Sequence, residues 1–451
     1  MSETYDTVIC GAGITGISTA YFLARAGIKH ILLVDERPPL GLTSDRSTEC
    51  YRNWWSHPDM LAMMERSIDL MERLADQSGN VFHLNRRGYL FVTADRSKIS
   101  ALITHSTRTS NLGAGPLRLH TTETDSYQPL REEGFHDQPT GADLLLDPSL
   151  IRKHFPYLTE QAVAALHVRR AGWLSAQQLG MHLLERARSH GVRFESARIS
   201  GVEVEQGRVR GARLGDGRRL DSPIFINAAG PFLQEVGQML GIELPVQTEL
   251  HLKVAFKDYL GIVDRSAPLL IWDDPQSLPW SEDEHRFLIE DEETRWLTEP
   301  FPAGVHTRPE GHGGSQQILM LWEYQTQTMK PVWPPPLDEQ YPEIALRGLA
   351  TMLPGLQRYF GRALRPILDG GYYTKTIENM PLIGPLPIEG AYLIGAVSGY
   401  GIMSACAAGE LLAAHVIGEE LPAYAPAFRL ERYDDPAYRK RLENWGDSGQ
   451  L

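Results

Sequence analysis

The sequence predicts an α/β fold joined to a second, β-rich domain. Three observations carry the prediction: a glycine-spaced turn between a strand and a helix at the N-terminus, a tryptophan-rich β stretch in the middle, and a glycine-rich return near the C-terminus. The opening unit is the most informative. Residues 5–10 read as a strand, and 14–26 read as a helix with Ile14, Ile17, Ala20, Leu23 and Ala24 on one side. Residues 28–34 read as a second strand that ends at Asp35. Between the first strand and the helix lies Gly11-Ala12-Gly13-Ile14-Thr15-Gly16, a G-x-G-x-x-G turn. Such a unit begins a Rossmann-type sheet. Gly11 makes the tight turn, Gly13 lets the backbone approach a pyrophosphate, and Gly16 lets helix pack on strand. The helix start, with Ile14 and Thr15, offers N–H groups and a positive dipole end to phosphates. Asp35 is placed to accept from ribose hydroxyls. Glu36 follows it. Thr43 and Ser44 lie in the Ser- and Thr-rich loop beyond, and all three are assigned to the same dinucleotide site.

The bulk composition narrows the classes. A chain of 451 residues is too long for one compact core, and 42% hydrophobic with 22% charged residues fits a folded protein. The net charge is -13 with no basic run, which argues against nucleic acid. Cys10, Cys50 and Cys406 are scattered, which argues against a disulfide framework and suits a reducing, cytoplasmic compartment. No basic region followed by an apolar stretch opens the chain, so no signal peptide is expected. The one apolar suspect, 391–418, is broken by Gly395, Gly399, Gly401, Gly409 and Glu410, so no membrane span is expected.

Further along, 58–77 reads as a helix with Pro58 in its first turn and Met60, Leu61, Met64, Ile68, Met71 and Leu74 as its apolar stripe. Residues 88–93 read as a strand. Residues 97–145 read as mixed, with a long loop through 113–116. Ser175-Ala-Gln-Gln178 opens a helix to about 189, and a strand follows at 192–196. Two β segments turn at Gln206-Gly207 and Asp216-Gly217. A buried strand, 224–227, then ends at Ala228-Ala229-Gly230, where small residues let the chain pass close to the dinucleotide. Residues 245–335 carry five of the nine tryptophans. There, strand-like runs (250–256, 318–322) alternate with acidic loops at 273–274, 282–284 and 290–293, read as solvated faces rather than metal sites.

NAD and FAD share the first motif. The C-terminal return discriminates between them. Residues 393–395 end a strand, and Ser398-Gly399-Tyr400-Gly401-Ile402 opens a helix to about 417. A helix start there can stabilise negative charge on a reduced flavin ring. At this point the chain resembles the FAD-dependent oxidoreductases of the D-amino acid oxidase superfamily, in the style of the sarcosine oxidase and glycine oxidase branch. The matching blocks are 8–24, 33–39, 88–93, 172–191, 227–230, 372–384 and 395–418. The pattern Tyr-x-Thr-x-x-x-Pro-x-x-Gly, followed by Ser-Gly-x-Gly-Ile and a small-residue helix containing Gly409, carries the likeness.

The resemblance implies a discontinuous FAD-binding domain (1–87, 146–235 and 360–430), a β-sheet-rich substrate domain built from insertions (88–145 and 236–359), and a C-terminal tail (431–451). It implies oxidation of a C–N bond to an imine. The cofactor residues it adds are Ala229, Gly230, Gly371, Gly399, Tyr400, Gly401, Ile402 and Met403. Some members of the sarcosine oxidase branch bind flavin covalently through a cysteine two residues before Tyr-x-Thr. Here that position is Gly371, so FAD is expected to be non-covalent. An ungapped match sets Met320 where those oxidases place a lysine over the flavin, which leaves oxygen or another electron acceptor open. Met403 falls where a carboxylate-binding lysine occurs, and Tyr400 where a histidine is common. Arg52 is the remaining candidate anchor for a substrate carboxylate, through its planar fork. A structural arginine pairing with Glu49 or Asp59 is the other reading. Tyr373 is expected to bound the substrate pocket or to pack. With Arg52, Tyr373 and Tyr400 as the reactive-site candidates, the expectation is oxidation of a secondary or N-methylated amine, an amino acid derivative, by hydride transfer to FAD. The alternatives are an amine dehydrogenase with a non-oxygen acceptor and an FAD-binding subunit of a larger complex. For the last of these, the aromatic-rich 272–333 region suits an interface; an oligomer is also allowed for.

Overall fold

The computed structural model describes residues 3–122, 126–311, 313–324, 327–362 and 364–443. The opening unit forms as the glycine spacing predicts: strand Thr7–Cys10, helix Ile14–Arg25, strand Ile31–Asp35. These strands centre a six-stranded sheet in the spatial order Arg193–Ser196, Ile31–Asp35, Thr7–Cys10, Phe225–Asn227, Ala391–Gly395 and Leu382–Pro385. The first five run parallel and the last is antiparallel.

Both faces of this sheet are covered, which is why its strands are apolar at consecutive positions. On one face Ile9 and Leu33 pack on the helices Ile14–Arg25, Pro58–Ser78, Ala176–Ser189 and Gly401–Ile417. The stripe Met60, Leu61, Met64, Ile68, Met71 and Leu74 is buried. Gly409 lets the last long helix lie on the first: a Cβ there would meet Ser18 Oγ at 2.4 Å. On the other face Val8, Val34 and Phe225 pack on a β meander, Ile199–Glu205, Arg208–Leu214 and Arg219–Asp221, with its turns at the expected glycines. The three cysteines are free and buried. Burial pushes the Cys10 and Cys406 thiols up to about 12 and the Cys50 thiol to about 11, so they behave as small core residues.

The second sheet has nine strands in the order Ile367–Lys375, Gln247–Lys257, Gln317–Leu321, His306–Glu310, Leu269–Trp272, Tyr89–Thr93, Ala164–Val168, Ala142–Leu145 and Leu117–His120. One face packs on the helix Tyr341–Met352 through Val254, Ile318, Met320 and Trp322. The other face carries Glu249, His251, Lys253, Arg308 and Tyr373, because residues paired across strands share a face.

Several expectations change here. Residues 97–145, expected as mixed with a long loop from 113, hold a helix at Ile99–Thr109 and, within the expected loop, the edge strand Leu117–His120 and its neighbour Ala142–Leu145 in the large sheet. Strands Ala164–Val168 and Ile367–Lys375 fall inside segments expected in the cofactor domain, yet both belong to the nine-stranded sheet. Tyr89–Thr93 and Gln247–Lys257 pair with them along most of their lengths. Asp274 is not a solvated acid. It is 8% exposed and accepts from Thr93 Oγ1 and the Ala94 N–H, with Lys98 Nζ at 3.0 Å. The expected tail is docked over its first part: the Arg432 guanidinium pairs with buried Glu378 at 2.7 Å, and Tyr433 and Tyr438 donate to the same carboxylate. Residues 444–451 of that tail lie outside the described residues. Among the described residues no helix is long and apolar enough to cross a membrane.

Candidate active site

The glycine turns from the two ends of the chain meet in one cleft. It lies beyond the carboxyl ends of the parallel strands, where ligands bind in open α/β sheets. Gly11, Gly13, Ile14 and Thr15 line it after the first strand, and Asp35 after the second. Ala229 and Gly230 line it after Phe225–Asn227, and Gly399, Gly401 and Ile402 at the start of the last long helix. The polar loop supplies Thr43 and Ser44, and the large sheet supplies Tyr373.

The three N-terminal glycines divide their work. Gly11 has φ +113°, and a Cβ there would meet Ala228 O at 2.3 Å; a Cβ on Gly16 would meet Gly11 O at 2.0 Å. Both are needed for the chain to pack. Gly13 has an ordinary extended backbone (φ -71°, ψ 177°), and its nearest side-chain neighbour, Ser44 Oγ, would lie 3.5 Å from a Cβ. What Gly13 keeps open is space in the cleft. The helices Ile14–Arg25 and Gly401–Ile417 both begin at the cleft, and neither N-cap residue caps with its side chain. Two positive helix ends therefore face the same cavity. Asp35 Oδ2 accepts from the Ala12 N–H at 2.8 Å and Oδ1 from the Arg37 N–H at 2.9 Å. Burial raises its pKa, and those two N–H groups oppose the rise. Ala396 (φ 53°) and Ser398 (φ 44°) also line the cleft in the left-handed region, which L residues adopt only when the surroundings impose it. A bond from the Ser398 N–H to Thr374 O holds that turn at 2.8 Å.

These features fit a flavin dinucleotide: a glycine-kept cradle, two helix starts for negative charge, and a carboxylate at the end of the second strand. The loop at 40–50 is pinned over one wall. Thr43 Oγ1 donates to Tyr372 O at 3.0 Å, and Arg308 donates from Nε and Nη2 to Thr48 O. Lys253 Nζ, its pKa lowered by burial, donates to Ser47 O at 3.2 Å.

Other expected residues stand apart from the cleft wall. Gly16 packs behind the first turn, and Glu36 borders an adjoining pocket with Arg37, Arg198 and Phe232. Gly371 faces the polar loop, where a Cβ would meet Arg46 Cβ at 3.2 Å and Thr43 Cα at 3.3 Å. Met403 is buried in the helical core. Tyr400, expected among the reactive groups, is fully buried. Its hydroxyl donates to Asn379 O at 2.8 Å and its ring meets Trp55 edge-on, so it supports the helix start from behind. Met320, expected over the flavin, points to the opposite face of the sheet, into the core with Val254 and Trp322. The ungapped match carried the strand but not its alternation.

Arg52 and Tyr373 lie on the inner side of the large sheet. Arg52 is 6% exposed, with its guanidinium carbon 4.8 Å from the Trp55 ring centre, 5.7 Å from Tyr89 and 6.0 Å from Phe91. Glu49 pairs with Arg308 at 3.2 Å, and Asp59 approaches His57. Tyr373 stacks on His251, ring centres 3.7 Å apart and 16° between planes. His251 stands between two carboxylates, with Nε2 3.4 Å from Glu249 Oε2 and Nδ1 3.4 Å from Glu323 Oε1. Burial pulls the His251 pKa down, but Glu323 and Glu249 outweigh it and the imidazolium is favoured. Lys375 Nζ pairs with Glu249 at 2.8 Å. His306 lies within the fields of Arg52 and Glu323, and burial lowers its pKa. Sequence reading missed this group. Its signal was available in Glu249-Leu-His251-Leu-Lys253, charge at every second position of a strand.

The fold and cleft define a class, and comparison with known proteins names it. Residues 6–415 match the DAO family, FAD dependent oxidoreductase, and the chain belongs to that family. The mitochondrial dimethylglycine dehydrogenase of Rattus norvegicus is 24% identical over 444 residues, covering 96% of this chain and 45% of that protein. The chain thus spans about half the length of the curated relatives it matches. Among solved structures, L-proline dehydrogenase from P. horikoshii superposes with a TM-score of 0.72 at 18% identity, covering 98% of this chain and 99% of that one. Glycine oxidase from Geobacillus kaustophilus gives 0.71 at 15% identity, covering 95% and 99%. These two likenesses are of fold.

Proposed function

We propose that this protein oxidises a secondary or N-methylated amine bearing a carboxylate, an amino acid derivative, with non-covalently held FAD. One observation carries the reading: Arg52 is sunk in an aromatic box on the sheet face that also presents Tyr373 to the cofactor cleft. A buried guanidinium among rings suits a ligand with a carboxylate at one end and apolar substituents at the other. The name of a relative, dimethylglycine dehydrogenase, points the same way. Gly371 supports non-covalent binding, since it lacks a thiol and faces the polar loop.

Bound FAD supplies the hydride acceptor for the carbon next to nitrogen. The chain's own groups do the rest. Arg52 fixes the carboxylate, Trp55 and Tyr373 bound the apolar part, and the two helix starts favour the negative charge that reduction brings. An ammonium has no lone pair to support loss of hydride, so the amine must be bound neutral. The sheet face around Tyr373 carries the acid–base groups near enough to influence that, His251 and Glu323.

The test is an anaerobic absorbance titration of purified protein with N-methyl and cyclic amino acids. Bleaching of the flavin by one of them is expected. Admission of air then tells an oxidase from a dehydrogenase by the rate at which the colour returns. A flavin spectrum that no carboxylated amine bleaches would overturn the substrate class. Arg52→Ala is expected to raise the apparent Kd for that substrate about 10- to 100-fold, the worth of one charge-assisted contact of ~1.5–3 kcal/mol, with flavin still bound.

A further inference from the structure

The strand Gln247–Lys257 does not pair with its neighbour along its whole length. It meets Gln317–Leu321 only over Val254–Lys257. Before that, the two chains part, and they meet again at the isolated bridge between Glu249 and Thr328 and the bond from the Met329 N–H to Thr248 O. The gap opens a second cavity, lined by His251, Glu323, Asp338, Trp322, Tyr324 and Tyr341. His251 is a shared wall: it lines this cavity and stacks on Tyr373, which lines the cofactor cleft.

No Lys or Arg lines the second cavity among the described residues; Glu323 and His251 pair with each other, Asp338 adds a further carboxylate, and three large aromatic rings complete the wall. Trp322 and Tyr324 meet edge-to-face at 5.6 Å, and Tyr341 lies nearly parallel to Tyr324 at 5.6 Å. Tyr324 Oη is buried and has no hydrogen-bond partner among the described residues. The His251 side chain is only 8% exposed. A metal ion would need several oxygen ligands, and no group of His, Cys, Asp and Glu among the described residues is arranged to hold one. A methylated ammonium is bulky and weakly hydrated. It takes few directional bonds and is held by ring faces together with a nearby negative charge.

The geometry points to a second ligand site in this cavity, for a tri- or tetra-substituted methylammonium group, separated from the cofactor cleft by the His251–Tyr373 stack. Its physiological ligand rests on the amine reading above, since the protonated form of a tertiary N-methylated amine substrate is what would pass there. The site itself rests on the cavity alone.

Tetramethylammonium chloride is the probe, because it has no nitrogen lone pair and is not oxidised. Isothermal calorimetry on the FAD-loaded protein is expected to show saturable binding that sodium chloride at equal strength does not reproduce. Asp338→Asn, which keeps the acceptor that Asp338 Oδ1 offers the Gln340 N–H, is expected to weaken binding at least tenfold. Tyr324→Leu is expected to weaken it similarly and Tyr324→Phe to preserve it, all with the flavin spectrum retained. Absence of saturable heat, or an unchanged Kd in Asp338→Asn, would overturn the proposal whatever Tyr324→Leu does. The two readings fail separately. Amines that bleach the flavin without tetramethylammonium binding would sink this site and spare the reaction. Tetramethylammonium binding with no amine bleaching would do the reverse.

Discussion

At the scale of single residues, the glycines of the first turn make the sharpest distinction. A side chain on Gly11 would strike the Ala228 carbonyl at 2.3 Å, so Gly11→Val is expected to disrupt folding. Gly13→Val has no such contact and an ordinary backbone, so the chain should fold, with the isopropyl group standing in the phosphate path. The expected outcome is soluble, cooperatively melting Gly13→Val protein without yellow colour, beside Gly11→Val recovered only as aggregate. A yellow, FAD-loaded Gly13→Val would show that the pyrophosphate runs elsewhere. These positions were legible because backbone approach leaves a mark in the sequence, the missing side chain. Tyr400 and Met320 were misplaced for a related reason. Which way a side chain points depends on strand alternation and on what its hydroxyl finds, here Asn379 O, and a linear match records neither. The His251 and Glu323 pair was out of reach for another reason: its members come from a strand and from a loop beyond a different strand, far apart in the chain.

At the scale of elements, the cleft depends on a loop that belongs to one sheet in sequence and to the other in contacts. Residues 40–50 follow the second strand of the six-stranded sheet, but Arg308, Lys253 and Tyr372 of the nine-stranded sheet hold them. Arg308 is the central tie. It is 1% exposed, donates twice to Thr48 O, and pairs with Glu49 at 3.2 Å and Glu310 at 2.6 Å. Glu49 itself has φ 61°, a strained conformation this pairing helps to hold, and its Oε1 accepts from the Ala176 N–H at 2.9 Å. Removing the guanidinium leaves Thr48 O without its two donors and the part-buried Glu49 and Glu310 without their cation, a loss of about 1–3 kcal/mol. Arg308→Met is therefore expected to lower the denaturant midpoint and also to release FAD, because Thr43, Ser44 and Ser47 line the cleft. Fluorescence of the released flavin on gel filtration measures the second effect. Full retention of FAD in a destabilised Arg308→Met would show that the loop holds its place without the tie.

At the scale of the whole molecule, both sheets bury histidines that the folded chain keeps neutral. His167, on the large sheet, has its pKa pushed down to about 3 by burial and by Arg169. Its Nε2 lies 3.1 Å from Arg87 O, and its Nδ1 takes Tyr127 Oη at 2.7 Å and Arg169 Nη1 at 3.0 Å. A proton on Nδ1 would set donor against donor. His415, on the helix Gly401–Ile417, is lowered to about 4 by burial and by Arg429. His57, His154, His182 and His306 are lowered as well, whereas His251 is raised. For a lowered histidine the unfolded state binds a proton first, from about pH 6.5 downward. Its contribution is therefore intact above 6.5 and lost as pH falls toward the folded value. His251 has the opposite sign: its contribution is present below 6.5 and lost as pH rises through its folded pKa. The lowered group outnumbers it, so stability should fall between pH 6.5 and 5, above the range where most carboxylates titrate. The denaturant midpoint measured at pH 7.5, 6.5, 5.5 and 5 is expected to drop across that window. His415→Asn, which cannot take up the proton, is expected to show a shallower slope there by one proton's share. A slope unchanged by that substitution would mean that His415 is protonated in the folded protein as readily as in the unfolded chain.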